Sequence, residues 1–256
     1  MRLLTRPVRL IGLLVVVALI GLGAWLWLSA GSSTPTDAEA ALRGFRARGG
    51  EAGSVRPGVP RPGVYTYRQQ GSERGGAGPV KVSRDLPNEA RSVVLLTPEG
   101  FREELLVSEE HEEVVRYRVN QAGAIRAVWR RTEVRFVGVG SDDRRTIRPP
   151  SLHVPANPRV GQRWREDYRA GELRVQATSR VLRSERVTVS GRSYPVLVIR
   201  VDGVTSGAHP GTRTDVFWWS PQLSLPLRWN FEMDIGGTLS FEADADLRLA
   251  ALPPKT

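Results

Sequence analysis

A chain of 256 residues with no cysteine and a formal charge of +10 excludes several chemistries at once. Disulfides cannot stabilise it, no thiol can act as nucleophile, and no lipid can be attached through an N-terminal cysteine. The charge is a weak argument for nucleic acid, because Arg2, Arg6 and Arg9 belong to the flank of an apolar segment and no arginine run reaches five. Thirty-five arginines stand against two lysines, Lys81 and Lys255, scattered along what read as polar strand faces. A solvated β-surface accounts for them, with weak attraction to anionic headgroups or wall polymers as the alternative.

Residues 10–28 carry no charge over nineteen positions, and twelve of these are Leu, Ile or Val. As a helix they would span about 28 Å, close to the roughly 30 Å hydrocarbon core of a bilayer. Summed insertion energies come to about −4 to −7 kcal/mol, and Trp25 and Trp27 sit at the distal end, where indoles favour the headgroup level. Three arginines precede the segment, whereas Asp37 and Glu39 are the first charges after it. The positive-inside rule then makes residues 1–9 a cytoplasmic basic tail and 10–28 a single-pass signal anchor in the cell membrane. Cleavage after Ala30 is the competing reading, opposed by bulky Leu28 where a small residue is wanted.

Residues 29–61 read as a short helix and a linker. Thr36 and Glu39 have capping-box spacing, and Ala38, Ala40, Ala41, Leu42 and Phe45 support a helix to about Ala47. Gly49 to Gly63 holds eight Gly or Pro in fifteen residues, which breaks regular structure. Residues 62–256 then form one extracytoplasmic β-domain.

Within that domain the hydrophobic period is two. Tyr65 and Tyr67 share a face; Val93–Thr97, Arg102–Ser108 and Glu112–Asn120 read as strands, with a turn at residues 120–123. Ala124–Val139 is one long strand or two, residues 140–143 a turn, and Pro149–Pro158 a loop. Strands resume at Arg163–Tyr168 and Leu173–Thr178, and Val187 and Val189 lead into a turn at Gly191. Tyr194–Val201 is apolar on both faces and reads as a covered central strand. The C-terminal hairpin alternates cleanly: Leu225, Leu227, Trp229, Phe231, Met233 and Ile235, then Leu239, Phe241, Ala243, Ala245, Leu247 and Leu249. A three-residue loop at 236–238 keeps both odd-numbered sets on one face and pairs Ile235 with Leu239 and Met233 with Phe241.

Catalytic signatures are absent: the sequence holds no GxSxG, HExxH, P-loop or GxGxxG. His111 lies among Glu109, Glu110, Glu112 and Glu113, sharing a strand face with Glu109 and Glu113, but an exposed acidic edge explains that run without a metal. His153 and His209 fall in Pro-rich stretches with no ligand spacing. The expectation is therefore no catalytic residue, no metal and no cofactor. The aromatic set Phe217, Trp218, Trp219 and Trp229 is the better lead. Adjacent Trp218 and Trp219 project to opposite faces, so one joins the core and the other needs a different partner.

Val160-Gly161-Gln162-Arg163-Trp164, Glu185–Val189 running to Tyr194-Pro195-Val196, Asp215–Pro221 and Leu225–Arg228 resemble a family of uncharacterised exported bacterial β-domain proteins. Gly63-Val64-Tyr65 and Tyr67 look like that family's opening strand. The family is similar in layout to the lipoprotein-carrier (Lol-type) half-barrels, curved sheets that cup an apolar cavity, and the resemblance implies a lipid or lipoprotein ligand. It supplies no catalytic residues. The expected architecture is mainly β: a curved antiparallel, half-barrel-like sheet preceded by the transmembrane helix and the short linker helix. The expected function is a non-enzymatic envelope binding module for a lipid or other apolar ligand, held by Trp218, Trp219, Trp229, Phe231, Met233 and Phe241. The alternatives are a structural or interaction protein of the envelope with a solid core, and an envelope hydrolase. Expected partners are the membrane through residues 10–28 and an apolar ligand or envelope protein, with no nucleic acid.

Overall fold

The computed structural model describes residues 33–50, 56–77, 80–136, 139–237 and 240–256. The apolar segment at 10–28 lies outside them, and no helix among the described residues is long and apolar enough to cross a membrane. Among the described residues one helix, α1 (Ala38–Ala47), precedes thirteen strands. These are β1 (Gly63–Ala77), β2 (Val80–Asp85), β3 (Glu89–Thr97), β4 (Gly100–Ser108), β5 (His111–Val119), β6 (Ile125–Phe136) and β7 (Val139–Val154). They continue with β8 (Arg163–Ala170), β9 (Leu173–Val189), β10 (Arg192–Ser206), β11 (Gly211–Ser220), β12 (Leu225–Ile235) and β13 (Ser240–Leu249).

All neighbours are antiparallel, and the sheet closes. β1 pairs with β3 over its first half and with β2 over its second, while its other edge pairs with β13 from Tyr67↔Leu249 to Gly76↔Ser240. The expected half-barrel is therefore corrected to a closed barrel of twelve strands, β1 and β3 to β13, with β2 extending the far end of β1. Hydrophobic alternation reports which face a side chain takes and not which strand lies beside it, so this first-to-last pairing left no local trace. Gly71 stands at the closure with φ +145°, where a Cβ would lie 2.0 Å from the Asp244 carbonyl oxygen.

The C-terminal hairpin keeps its predicted parity but not its predicted register. Ile235 pairs with Phe241, Met233 with Ala243, Phe231 with Ala245 and Trp229 with Leu247, two residues on from the expected partners. A two-residue slip preserves the faces, so alternation cannot detect it; β13 must also match β1, and that second neighbour fixes the register. Residues 140–143 are not a turn. They continue β7, pairing with β6 back to Phe136↔Val139, and Asp142 and Asp143 face Arg131, Arg144 and Arg145 rather than capping backbone. Pro149 to Val154 is also strand, so the loop begins at Pro155 and His153 sits in the barrel wall. On β10, Val198 and Ile199 are both buried, and the register against β9 shifts between them, Val198 facing Arg183 and Ile199 facing Val181, so that Leu182 of β9 is the extra residue of a bulge.

Asp37, not Thr36, caps α1, accepting from the Glu39 and Ala40 N–H groups at 3.1 and 3.2 Å. The helix is not a free linker element. Ala41, Leu42 and Phe45 pack on the outside of the barrel against Val64, Val93, Leu95 and Leu106.

Candidate functional site

Twelve strands enclose a lumen, and the lumen holds a cavity of about 200 Å³. Along β11 its wall runs from Arg213 to Trp219, about 20 Å of strand. Toward the Trp219 end the wall is aromatic. His153 stands with its ring 5.1 Å from Tyr117, 5.7 Å from Phe217 and 6.3 Å from Trp219, and Phe101 lies 4.7 Å from Tyr117. Burial pulls His153 down to about 4, so its ring is neutral at physiological pH.

Carboxylates interrupt this apolar wall. Burial pushes Glu166 up to about 7, against hydrogen bonds donated by Ser151 and, at 3.2 Å, by Ser179. Burial also raises Glu103, whose Oε1 accepts from Ser92 at 2.9 Å. Neither carboxylate has a cationic partner within 4.0 Å among the described residues. Each sits at a core-facing strand position, Glu103 between Phe101 and Leu105, Glu166 between Trp164 and Tyr168.

Beyond them a chain of charges crosses the lumen. Arg84 on β2 donates to Glu73 Oε2 on β1 at 2.9 and 2.6 Å; the other Glu73 oxygen meets His111 Nδ1 on β5. His111 Nε2 faces Glu113 Oε1 at 3.6 Å, and Arg213 on β11 donates to that oxygen at 2.8 Å. Arg213 Nε also reaches both Asp215 oxygens, at 3.1 and 3.0 Å, and Trp229 Nε1 donates to Asp215 at 2.9 Å. Burial alone would lower His111, but the Glu73 and Glu113 carboxylates outweigh it and hold the imidazole up at about 9. Burial likewise opposes the ionised form of Glu113, yet Arg213 and His111 keep it well below the usual carboxylate range. For Asp215 burial wins and the carboxyl is raised. With His111 protonated, three cations face three carboxylates across the barrel.

No family model matches this chain, and no curated protein matches it. Among solved structures it is similar to the hypothetical lipoprotein YmcC from Escherichia coli (K12), at 13% identity and a TM-score of 0.36, over 81% of this chain and 96% of that one. A likeness of that size says nothing about ligand or activity.

The six aromatic and apolar residues singled out in the sequence are distributed rather than gathered. Trp219 and Trp229 line the cavity. Phe231 packs behind Trp229, ring centroids 5.7 Å apart, and is fully buried. Phe241 packs edge-on to His111 at 5.6 Å. Met233 is half-buried against the core and borders a second, polar depression between β1, β11, β12 and β13. Trp218 does not line the cavity; Arg228 stacks over its ring at 4.5 Å and its indole N–H donates to Glu185. Glu109 and Glu110 form the β4–β5 turn, so His111 shares the lumen with Glu113 but not with Glu109. Among the described residues no group of three or more His, Cys, Asp or Glu side chains could hold a metal ion. Sequence reasoning missed His153, Glu103, Glu166, Arg213 and Asp215. The usable signal was a charge at a position whose strand neighbours two residues away are apolar or aromatic, as with Glu103 between Phe101 and Leu105.

Proposed function

We propose that the barrel is a non-enzymatic binding module of the cell envelope, anchored through residues 10–28 with its N-terminus in the cytoplasm, that takes the apolar part of a small amphiphile into its lumen. The observation that carries this reading is the cavity itself, an aromatic wall formed by Tyr117, His153, Phe217 and Trp219 beside carboxylates lacking cationic partners. Ligand pockets are concave and mostly apolar, with a few polar groups that fix orientation. At about 200 Å³ the space falls below the roughly 300–1,000 Å³ of drug-sized sites. It therefore suits one short chain or ring system and not a multi-chain lipid. The carboxylates nearest His111 are already committed to Arg84 and Arg213, which favours binding over acid–base turnover.

Native mass spectrometry of the full-length protein extracted from its own membrane tests the reading. A co-purifying amphiphile is expected on the wild type and absent from Ala177→Trp, which places an indole in the cavity wall. Equal occupancy in both, or none in either, would refute it. The packing of Phe231 and Phe241 into the core would then favour a structural envelope protein acting through its surface.

A further inference from the structure

Among the described residues pairing is weakest along the middle of β7, where residues 147–150 bulge off β6 between Ala127↔Ser151 and Trp129↔Thr146. β7 and β8 share only the pairs Ile147↔Ala170 and Arg148↔Arg169. Above these, Pro149 and Pro150 offer no N–H, and residues 149–154 of β7 face 163–168 of β8 without a ladder. Side chains bridge the gap instead: Ser151 donates to Glu166, and Trp164 Nε1 donates to the Leu152 carbonyl at 3.0 Å. Side-chain contacts can part without unzipping a sheet. Ser151, His153, Glu166 and Tyr168 on either side of the gap also line the cavity, so the gap leads directly into the lumen.

The outer rim of this seam is basic. Arg148 on β7 and Arg163, Arg165 and Arg169 on β8 alternate with inward Ile147, Trp164, Glu166 and Tyr168, and all four are exposed. Arg148 stands directly opposite Arg169, and Arg163 opposite Arg180, which is itself opposite Arg200. Like charges directly across a sheet destabilise it; other cross-strand arginine pairs carry a shared carboxylate, Asp142 at Arg131↔Arg144 and Asp246 at Arg228↔Arg248. None of Arg148, Arg163, Arg165, Arg169 and Arg180 makes an ion pair among the described residues. The intervening Asp167 is already held by Arg174 at 2.8 Å. Arg131, Arg144 and Arg228 are answered by carboxylates, while Arg116, Arg126 and Arg192 elsewhere on the wall also make no ion pair among the described residues. Exposed Val160 and Leu182 flank the same end of the rim.

We infer that the β7–β8 seam admits the tail of a single-chain anionic amphiphile, while the rim arginines hold its headgroup outside the wall. The inference rests on the binding role proposed above and adds the sign of the headgroup and the route of entry. A guanidinium fork matches carboxylate and phosphate alike, whereas entering the apolar lumen would strip an anion of its hydration. The headgroup therefore stays out as the chain goes in.

The test uses the full-length protein in neutral phosphatidylcholine nanodiscs and reads quenching of tryptophan by a chain-terminal bromine. The probes are 10-bromodecanoate, a chain-brominated lysophosphatidate supplied in the disc, and 10-bromodecanol as the neutral control. Saturable quenching by either anion is expected, and which one quenches identifies a free acid or a membrane lysolipid as the source. Arg165→Gln with Arg169→Gln should weaken anion binding about tenfold and leave the alcohol within about twofold. Ser151→Cys with Glu166→Cys should block uptake when oxidised and restore it when reduced, so one folded protein supplies both states. Equal binding of alcohol and acid by wild type and arginine variant, or uptake by the oxidised barrel, would overturn the seam inference and leave lumen binding standing. Failure of all three probes to quench the wild type would remove both.

Discussion

Raising the pH from 7.5 to 9.5 should strip the barrel of one internal support. His111 is fully buried between Glu73 and Glu113, and its pKa rises from an ordinary 6.5 to about 9 on folding. A folded pKa above the unfolded one contributes stability that is complete below about pH 6.5 and lost as pH climbs through 9. At 1.36 kcal/mol per pKa unit the full contribution is about 3 kcal/mol, of which about 2 kcal/mol disappears between pH 7.5 and 9.5. Glu166, raised to about 7, loses its contribution from about pH 4.5 to 7, and buried Tyr67 and Tyr117, raised well above 10, act only in stronger base. Urea unfolding of the full-length protein in mild detergent should therefore show a midpoint falling by about 1 M across the window, for a slope near 2 kcal/mol per M. His111→Gln keeps a hydrogen-bonding group but no charge, so it should be less stable at pH 7.5 and nearly flat to 9.5. Parallel curves for wild type and variant would refute the charge-chain reasoning.

Closure of the barrel is open to a covalent test, because the chain has no cysteine of its own. Ser72 Oγ donates to Asp244 at 2.8 Å across β1 and β13, so Ser72→Cys with Asp244→Cys should form a near-quantitative disulfide under mild oxidation; free thiols by mass spectrometry would contradict closure. Arg213→Met leaves Glu113 and Asp215 buried without their shared cation and should cost roughly 3–5 kcal/mol in denaturant unfolding. Adding Glu113→Gln and Asp215→Asn to it should recover part of that loss, and no recovery would argue against charge as the cause. Phe45→Ala, at a position with no exposure, should cost about 3–5 kcal/mol of packing. The loss should appear first as faster amide exchange in α1; unchanged protection there would mean that the helix does not depend on that contact.

Faces were legible in the sequence and neighbours were not. The odd-numbered alternation from Leu225 to Ile235 placed Trp229 and Phe231 inside correctly, since a buried sheet face enforces period two. Partner identity depends on contacts far apart in the chain, such as Tyr67 with Leu249, and no local pattern encodes them. The loop assigned to Pro149–Pro158 failed for a related reason. Proline is excluded where a ladder hydrogen bond is needed, and β7 accommodates Pro149 and Pro150 because there it bulges off β6 and forms no ladder with β8. The site was harder still. A carboxylate such as Glu166 reads as one more exposed acid until the strand partners of Trp164 and Tyr168 show which way it points.

The stretch before α1 has a consequence for how the molecule would stand. Ser33 N–H donates to the Asp85 carbonyl at 2.9 Å, and Thr34 is held by Glu110 at the β4–β5 turn. Both contacts lie at the His111 end of the barrel. Only five residues lead from Leu28 to Ser33, at most about 18 Å of extended chain. With residues 10–28 in the bilayer, as their hydropathy predicts, so short a tether would keep the ionic end of the barrel close to the headgroups. The aromatic end, where Trp219 stands, would then be the farther one from the lipid, and cargo drawn from the membrane would meet the barrel wall first.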